Sequence, residues 1–214
     1  MLNAQKESGP NGRARLLEAA QQLFCKLGLS EVTVAQILDH SGVKAPTLYH
    51  HFDGKEGLYV AWIGEALRRI ESKLSALDRQ EGPEAFLRGV RQVLLANTSM
   101  DVVQVLRDRR WLSGDESLDL IDKALDSCVF RPIGAGVCDY AKSNGRDLSK
   151  EEFGQVFVHL LSLDRPKYRR ASSMESLDRD LVIRLFLSGT ASPVSAGMGE
   201  VPADGLESSR ANAR

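Results

Sequence analysis

The side chains able to do chemistry crowd into one short stretch: Thr33, Lys44, Thr47, Tyr49, His50, His51 and Lys55. They supply hydroxyls, imidazoles, a phenol and two ammonium groups. Such groups donate to phosphate oxygens and contact base edges in a DNA groove. They do not form a catalytic constellation. The chain contains no HExxH, no P-loop and no nucleophile paired with a base. Gly134-Ala135-Gly136 follows a helical period rather than a strand, so it is not a dinucleotide-binding turn. No enzyme is expected. Three of the four histidines, His40, His50 and His51, lie in this region. Adjacent His50 and His51 point about 100° apart on a helix, and no cysteine or acidic pair is spaced to complete a metal site. No metal and no cofactor are therefore expected. His159 sits among apolar residues and reads as a core or interface histidine.

Two short helices must present these groups. Thr33 can accept from the Gln36 amide while Gln36 reaches back, a capping box, with Val32 and Ile37 as its hydrophobic staple. Ser41-Gly42 supplies a left-handed stop, and Pro46 opens the next helix, where its missing N–H costs little. Two short helices joined by a tight glycine-containing turn make a helix-turn-helix. On the second helix, Leu48 and Phe52 fall on one stripe and face inward with Ile37 and Leu38. Pro46, Thr47, Tyr49 and His50 occupy the opposite side, His51 its margin, and that side carries no acidic group. Asp53-Gly54-Lys55 starts a third helix with Asp53 and Glu56 in cap spacing. Lys55 sits poorly with the helix dipole there unless a phosphate joins it.

The run TVAQILDHSGVKAPTLYHHFDGKEGL, with RARLLEAAQQLFCKLGLSEVTV before it, resembles the DNA-binding signature of the tetracycline-repressor (TetR) family. The resemblance covers roughly residues 13–75. It implies phosphate contacts at Thr33, Thr47, Tyr49, His51 and Lys55, base reading at Lys44, Ala45, Pro46 and His50, and a turn glycine at Gly42. It departs from the family at Lys44, where a Ser or Thr cap is common, at Pro46, where readout becomes apolar, and at Ser41, a frequent alanine.

The whole chain reads as all-α. Apolar residues recur at three- and four-residue spacings, with helices expected near 13–28, 33–40, 46–52, 55–78, 83–98, 101–112, 116–143, 149–163 and 174–188. This divides into an N-terminal arm (1–12), a three-helix helix-turn-helix DNA-binding domain (13–54), a larger C-terminal helical ligand-binding and dimerisation domain (55–190), and a Gly/Ser/Ala/Pro-rich tail (191–214) expected to be disordered. With 43% hydrophobic and 27% charged residues the composition is that of an ordinary soluble protein. No run of about 18 apolar residues occurs. The first residues lack the apolar stretch of a signal peptide, and the three cysteines are odd in number with no CxxC pair, so a reducing cytoplasm, at the nucleoid, is expected. Net charge is −1, and residues 1–60 balance six basic against six acidic side chains, so charge neither supports nor opposes a DNA partner.

The resemblance implies a homodimeric repressor of operator DNA, double-stranded, released by an unknown small-molecule effector. Dimerisation is required because two recognition helices must reach grooves about 34 Å apart. By position, Phe153, Val156, Phe157, Leu160 and Leu161 match one helix of the family's dimer bundle, and Leu177, Leu181, Val182, Leu185 and Phe186 the other. From periodicity alone, both stripes serve the intramolecular core equally well. Trp62, Phe86, Trp111, Phe130 and Tyr140 are candidates to line an effector pocket, or are simply core. The Arg107-Asp108-Arg109-Arg110 cluster reads as a solvated face, although an arginine turned inward would favour an acidic ligand. Pro132 marks a bend. Cys25 reads as a small core residue, and Cys128 with Cys138 as a conceivable but poorly supported redox pair. The competing readings are a ligand-independent DNA-binding protein and a helical protein-interaction module.

Overall fold

The computed structural model describes residues 10–96, 100–143, 149–162 and 180–191. Among them every regular element is helical. The helices are α1 (Pro10–Leu27), α2 (Val34–Ser41), α3 (Ala45–Phe52), α4 (Lys55–Ser75), α5 (Pro83–Leu95) and α6 (Val102–Asp108). After a 3₁₀ turn (Arg109–Trp111) come α7 (Asp115–Leu125), a π turn (Asp126–Phe130), α8 (Arg131–Ser143), α9 (Lys150–Ser162) and α10 (Leu181–Ala191). No described helix is long and apolar enough to cross a membrane. The helix expected at 174–188 begins at Leu181; its earlier part, Leu177 included, lies outside the described residues, as does the tail. The first helix, expected from residue 13, begins at Pro10.

The head is α1–α3. Leu16, Ala20 and Phe24 recur every four residues along α1 and are buried, which sets the face α1 turns to its neighbours. They meet Ile37 of α2 and Leu48 and Phe52 of α3 in one continuous core. α4 carries this core out of the head. Its buried stripe, from Leu58 and Tyr59 to Ile70 and Leu74, runs the length of a 21-residue helix, about 30 Å. It packs on α1 and α3 of the head and on α5, α7, the π turn and α8 of the body. Arg13 of α1 adds an ion pair to Glu65 of α4.

The body closes with α8, α9 and α10. The expected helix over 116–143 exists, but Pro132 interrupts its register. Proline has no N–H and its ring crowds the carbonyl four residues back. The backbone widens into the π turn, where Arg131 N–H reaches Asp126 O, five residues back. Gly134 and Gly154 let α8 and α9 meet backbone to backbone. A Cβ at Gly154 would stand 2.1 Å from Phe130 O. Phe186 of α10 then packs edge-on against Phe153 and tilted against Phe157 of α9, ring centroids 6.1 and 5.1 Å away.

Candidate nucleic-acid interface

The helix-turn-helix is built by its own local sequence. Thr33 closes the start of α2: its Oγ1 accepts from Gln36 N–H at 3.2 Å and Gln36 Oε1 accepts from Thr33 N–H at 2.8 Å. Gly42 ends α2 in the left-handed region at φ 60°, and Ser41 reinforces the turn, donating to Leu38 O and accepting from Val43 N–H. Lys44 stands at the N-cap of α3 with no side-chain cap bond, and Pro46 lies in the first turn. Asp53 ends α3 at φ 55°, its N–H donating to Tyr49 O at 3.1 Å. Gly54, at φ 110°, then starts α4 without a side-chain cap. The Asp53 cap expected for that helix is replaced by this two-residue reversal.

Along α3, Leu48 and Phe52 are buried, while Lys44, Pro46, Tyr49 and His50 are exposed, Tyr49 to 54%. Ala45 is half-buried, and Thr33 at the head of α2 is exposed. Thr47 departs from the one-sided reading: it is buried. α3 is gripped by both α1 and α4, so its inward sector is wider than the Leu48–Phe52 stripe alone. His51 is half-buried, its Nε2 enclosed without a hydrogen-bond partner, and its ring lies 5.0 Å from that of His50. No group of three or more His, Cys, Asp or Glu able to hold a metal occurs among the described residues.

Lys55 has a task that spacing does not reveal. Its Nζ donates to Leu29 O and Val32 O, both at 2.9 Å, tying α4 to the turn between α1 and α2. The ammonium has three donors, and these carbonyls engage two of them.

Two further sets of contacts lie where the head meets the body, and both were missed from the sequence. Asp108, at the end of α6, is only 2% exposed, so it does not belong to the solvated face expected of the arginine-rich cluster. Its carboxylate accepts from Leu29 N–H and Tyr59 OH, each at 2.9 Å, and from Gln104 Nε2 at 2.8 Å. Burial, reinforced by Asp108, pushes the Tyr59 hydroxyl far above its ordinary range. Glu56, in the first turn of α4, accepts from Ser113 N–H at 3.1 Å and Gly114 N–H at 3.2 Å. Burial alone would raise its pKa, but these amides and the neighbouring serines outweigh it and hold the carboxyl below its ordinary value. Apart from Gln104, four residues before Asp108, the partners lie 49 to 79 residues away, so no local pattern signals them.

The five aromatics expected around an effector do not converge. Phe130 lines a cavity of about 370 Å³ together with Leu106, Arg109, Asp122, Leu125, Asp126, Gln155 and His159. Trp62 instead packs on Phe24 and Tyr59 at the head–body junction. Phe86 is buried beneath Gly136, Tyr140 is half-buried on α8, and Trp111 is 54% exposed under the Arg110 guanidinium. Arg109 does turn into the cavity, but Asp122 pairs with it, which offsets the charge that would favour an acidic ligand. Cys25 is exposed rather than core; it adjoins Phe24 on α1 but points about 100° away. Cys128 and Cys138 are buried. Burial, with the Glu71 carboxylate, pushes the Cys128 thiol up, away from a reactive thiolate.

The geometry is that of a head presenting one short helix to solvent, and the N-terminal sequence decides its lineage. Residues 16–62 match the family model described as bacterial regulatory proteins, tetR family. Over that stretch the chain carries the tetR-family DNA-binding domain. It is a DNA-binding regulator of transcription that works through a helix-turn-helix. The transcriptional repressor KstR2 of Rhodococcus jostii is 28% identical over 205 residues, which cover 89% of this chain and 97% of that one. The regulator TtgR of Pseudomonas putida is 30% identical over 95 residues, 44% of this chain and 45% of that one. In fold the chain is similar to the fatty acid degradation regulator FadR from Bacillus halodurans, with TM-score 0.56 at 18% identity, covering 89% of this chain and 99% of that one. The structure of AibR in complex with isovaleryl coenzyme A and operator DNA also matches, with TM-score 0.56 at 18% identity, covering 84% of this chain and 95% of that one.

Proposed function

We propose that this protein is a homodimeric tetR-family repressor that holds operator DNA with α3 and releases it when a small molecule enters the body. The observation that carries the reading is the exposed, acid-free outer face of α3, with Tyr49 at its centre. Lys44, Ala45, Pro46 and His50 read base edges. Thr33, Tyr49, His51 and the third donor of Lys55 hold phosphates, while the buried Thr47 is left out of the contact face. KstR2 is a transcriptional repressor, and AibR has been seen in complex with isovaleryl coenzyme A and operator DNA.

The dimer forms on α9 and α10. Phe153 and Phe157 are spent on the internal core, but Val156 (47%) and Leu185 (60%) leave large apolar side chains exposed on the same two helices. Leu160 and Leu181 are half-buried beside them. The effector occupies the cavity between α6, α7, the π turn and α9. Arg109 Nε is buried there without a hydrogen-bond partner, and an oxygen acceptor on the ligand would satisfy it. The ligand weakens operator binding by its differential affinity for the two head arrangements.

The test is fluorescence anisotropy of the protein on its own upstream intergenic DNA, against random DNA at about 0.15 M salt. Wild type should bind selectively. Tyr49→Ala should lose about ten- to a hundredfold in affinity, the weight of a charge-assisted hydrogen bond, with helicity and oligomeric state unchanged. Equal affinity of wild type and Tyr49→Ala for the selected DNA would refute the assignment of α3.

A further inference from the structure

The turn between α1 and α2 is held from two sides at one residue. Leu29 gives its N–H to Asp108 of the body and its C=O to Lys55 of α4. Asp108 reaches that N–H because residue 28 has no side chain. Gly28 sits at φ +78°, and a Cβ there would stand 3.0 Å from Gln104 Nε2 and 3.2 Å from Asp108 Oδ1. The same carboxylate takes the Tyr59 hydroxyl from α4. One buried group of the body thus bonds the head at the α1–α2 turn and also α4, the helix on which α3 packs. The next residue, Arg109, turns to the cavity and to Asp122. Two neighbouring side chains on one short turn therefore serve two different regions.

We infer that Asp108 is a positioning residue for operator recognition. It sets the orientation of the helix-turn-helix on the body, and through Arg109 it is the bond on which events in the cavity act. This rests on the operator-binding reading above. A carboxylate suits the role because it accepts several donors at once and its bonds are charge-assisted. Burial excludes competing water, so the contact is either fully made or lost. A displacement of the Arg109–Trp111 turn moves Asp108 with it and frees the Leu29 amide, leaving the α1–α2 turn held by Lys55 alone.

Two variants test this, each with two measurements on the full chain. Asp108→Asn keeps the shape and removes the charge. Tyr59→Phe keeps the ring packing on Phe24 and Trp62 and removes one donor. Amide hydrogen exchange at Leu29 reports the bond itself, without DNA. Operator affinity, measured where each variant is fully folded by circular dichroism, reports head orientation. Both variants should speed Leu29 exchange and weaken operator binding by about tenfold, within the usual range of coupling between sites. Faster exchange with operator affinity unchanged within about twofold would make Asp108 a fastening bond only and overturn the inference. Unchanged Leu29 exchange would overturn it outright. If Asp108→Asn does not fold, Tyr59→Phe decides by the same two outcomes. A wild type that binds no DNA selectively defeats the operator reading instead, and is seen before either variant is made.

Discussion

Head and body change direction by different means. In the head each reversal has its cause within a few residues: the Thr33–Gln36 box, Gly42 at φ 60°, Asp53 at φ 55° and Gly54 at φ 110°. In the body the decisive contacts are between distant backbones. The π turn at Asp126–Phe130 answers Pro132, but what rests on it is Gly154 of α9, and Gly134 of α8 likewise meets Lys150 O. Local punctuation shapes the head, and close approach of two helices shapes the body. A lost local contact in the head can be compensated nearby; a Cβ wedged between two backbones has nowhere to go.

The comparison breaks most clearly where the head also depends on packing. Leu48 is fully buried and joins α3 to the shared core. Leu48→Ala should cost about 2–5 kcal/mol of stability, read from urea unfolding followed by circular dichroism. A loss well under that range would mean that α3 collapses onto α1 and α4, and that the head tolerates cavities the body would not. Gly154→Ala comes next. Its Cβ must displace Phe130 O, and overpacking of this kind costs about 1–3 kcal/mol. A thermal midpoint equal to wild type would show that α8 and α9 can separate freely, and the contrast between the regions would fail.

The smallest effect concerns α4, the helix that leads from head to body. The Glu56 carboxyl is held below its ordinary value of 4.5 in the folded protein by the Ser113 and Gly114 amides and neighbouring serines, against burial. A depressed carboxyl contributes stability above its unfolded pKa and loses it as pH falls through the folded one. Wild type should therefore exceed Glu56→Gln in stability near neutral pH, and the two should converge on acidification. Parallel urea midpoints from about pH 6 to about pH 3, the span in which such a carboxyl titrates, would show that the Glu56 contact with Ser113 and Gly114 adds no stability.

The site was legible in proportion to how local its causes are. The capping box, the Gly42 turn, the proline-led α3 and the inward Leu48 and Phe52 could be read from neighbouring residues. Thr47 could not, because its burial depends on α1 and α4 closing on α3 from both sides. Of the pocket candidates, Phe130 lines the cavity beside Arg109 and Trp62 lines a separate one between α1 and α4; Phe86, Trp111 and Tyr140 line neither. Phe153 and Phe157 likewise met Phe186 inside the subunit, which left Val156 and Leu185 as the outward members of their stripes.

The sequence by itself determined an all-α chain, a helix-turn-helix and the family that uses it, because caps, turns and helical period act over one to four residues. Only the tertiary structure decided that Lys55 binds two carbonyls, that Asp108 is buried among three donors while Arg109 beside it faces a cavity, and that Glu56 fastens the start of α4 to the loop before α7. Those partners, apart from the Gln104 amide on α6 itself, lie 13 to 79 residues apart. A charged side chain looks the same in sequence whether it meets water or a buried amide; the fold brings the amide.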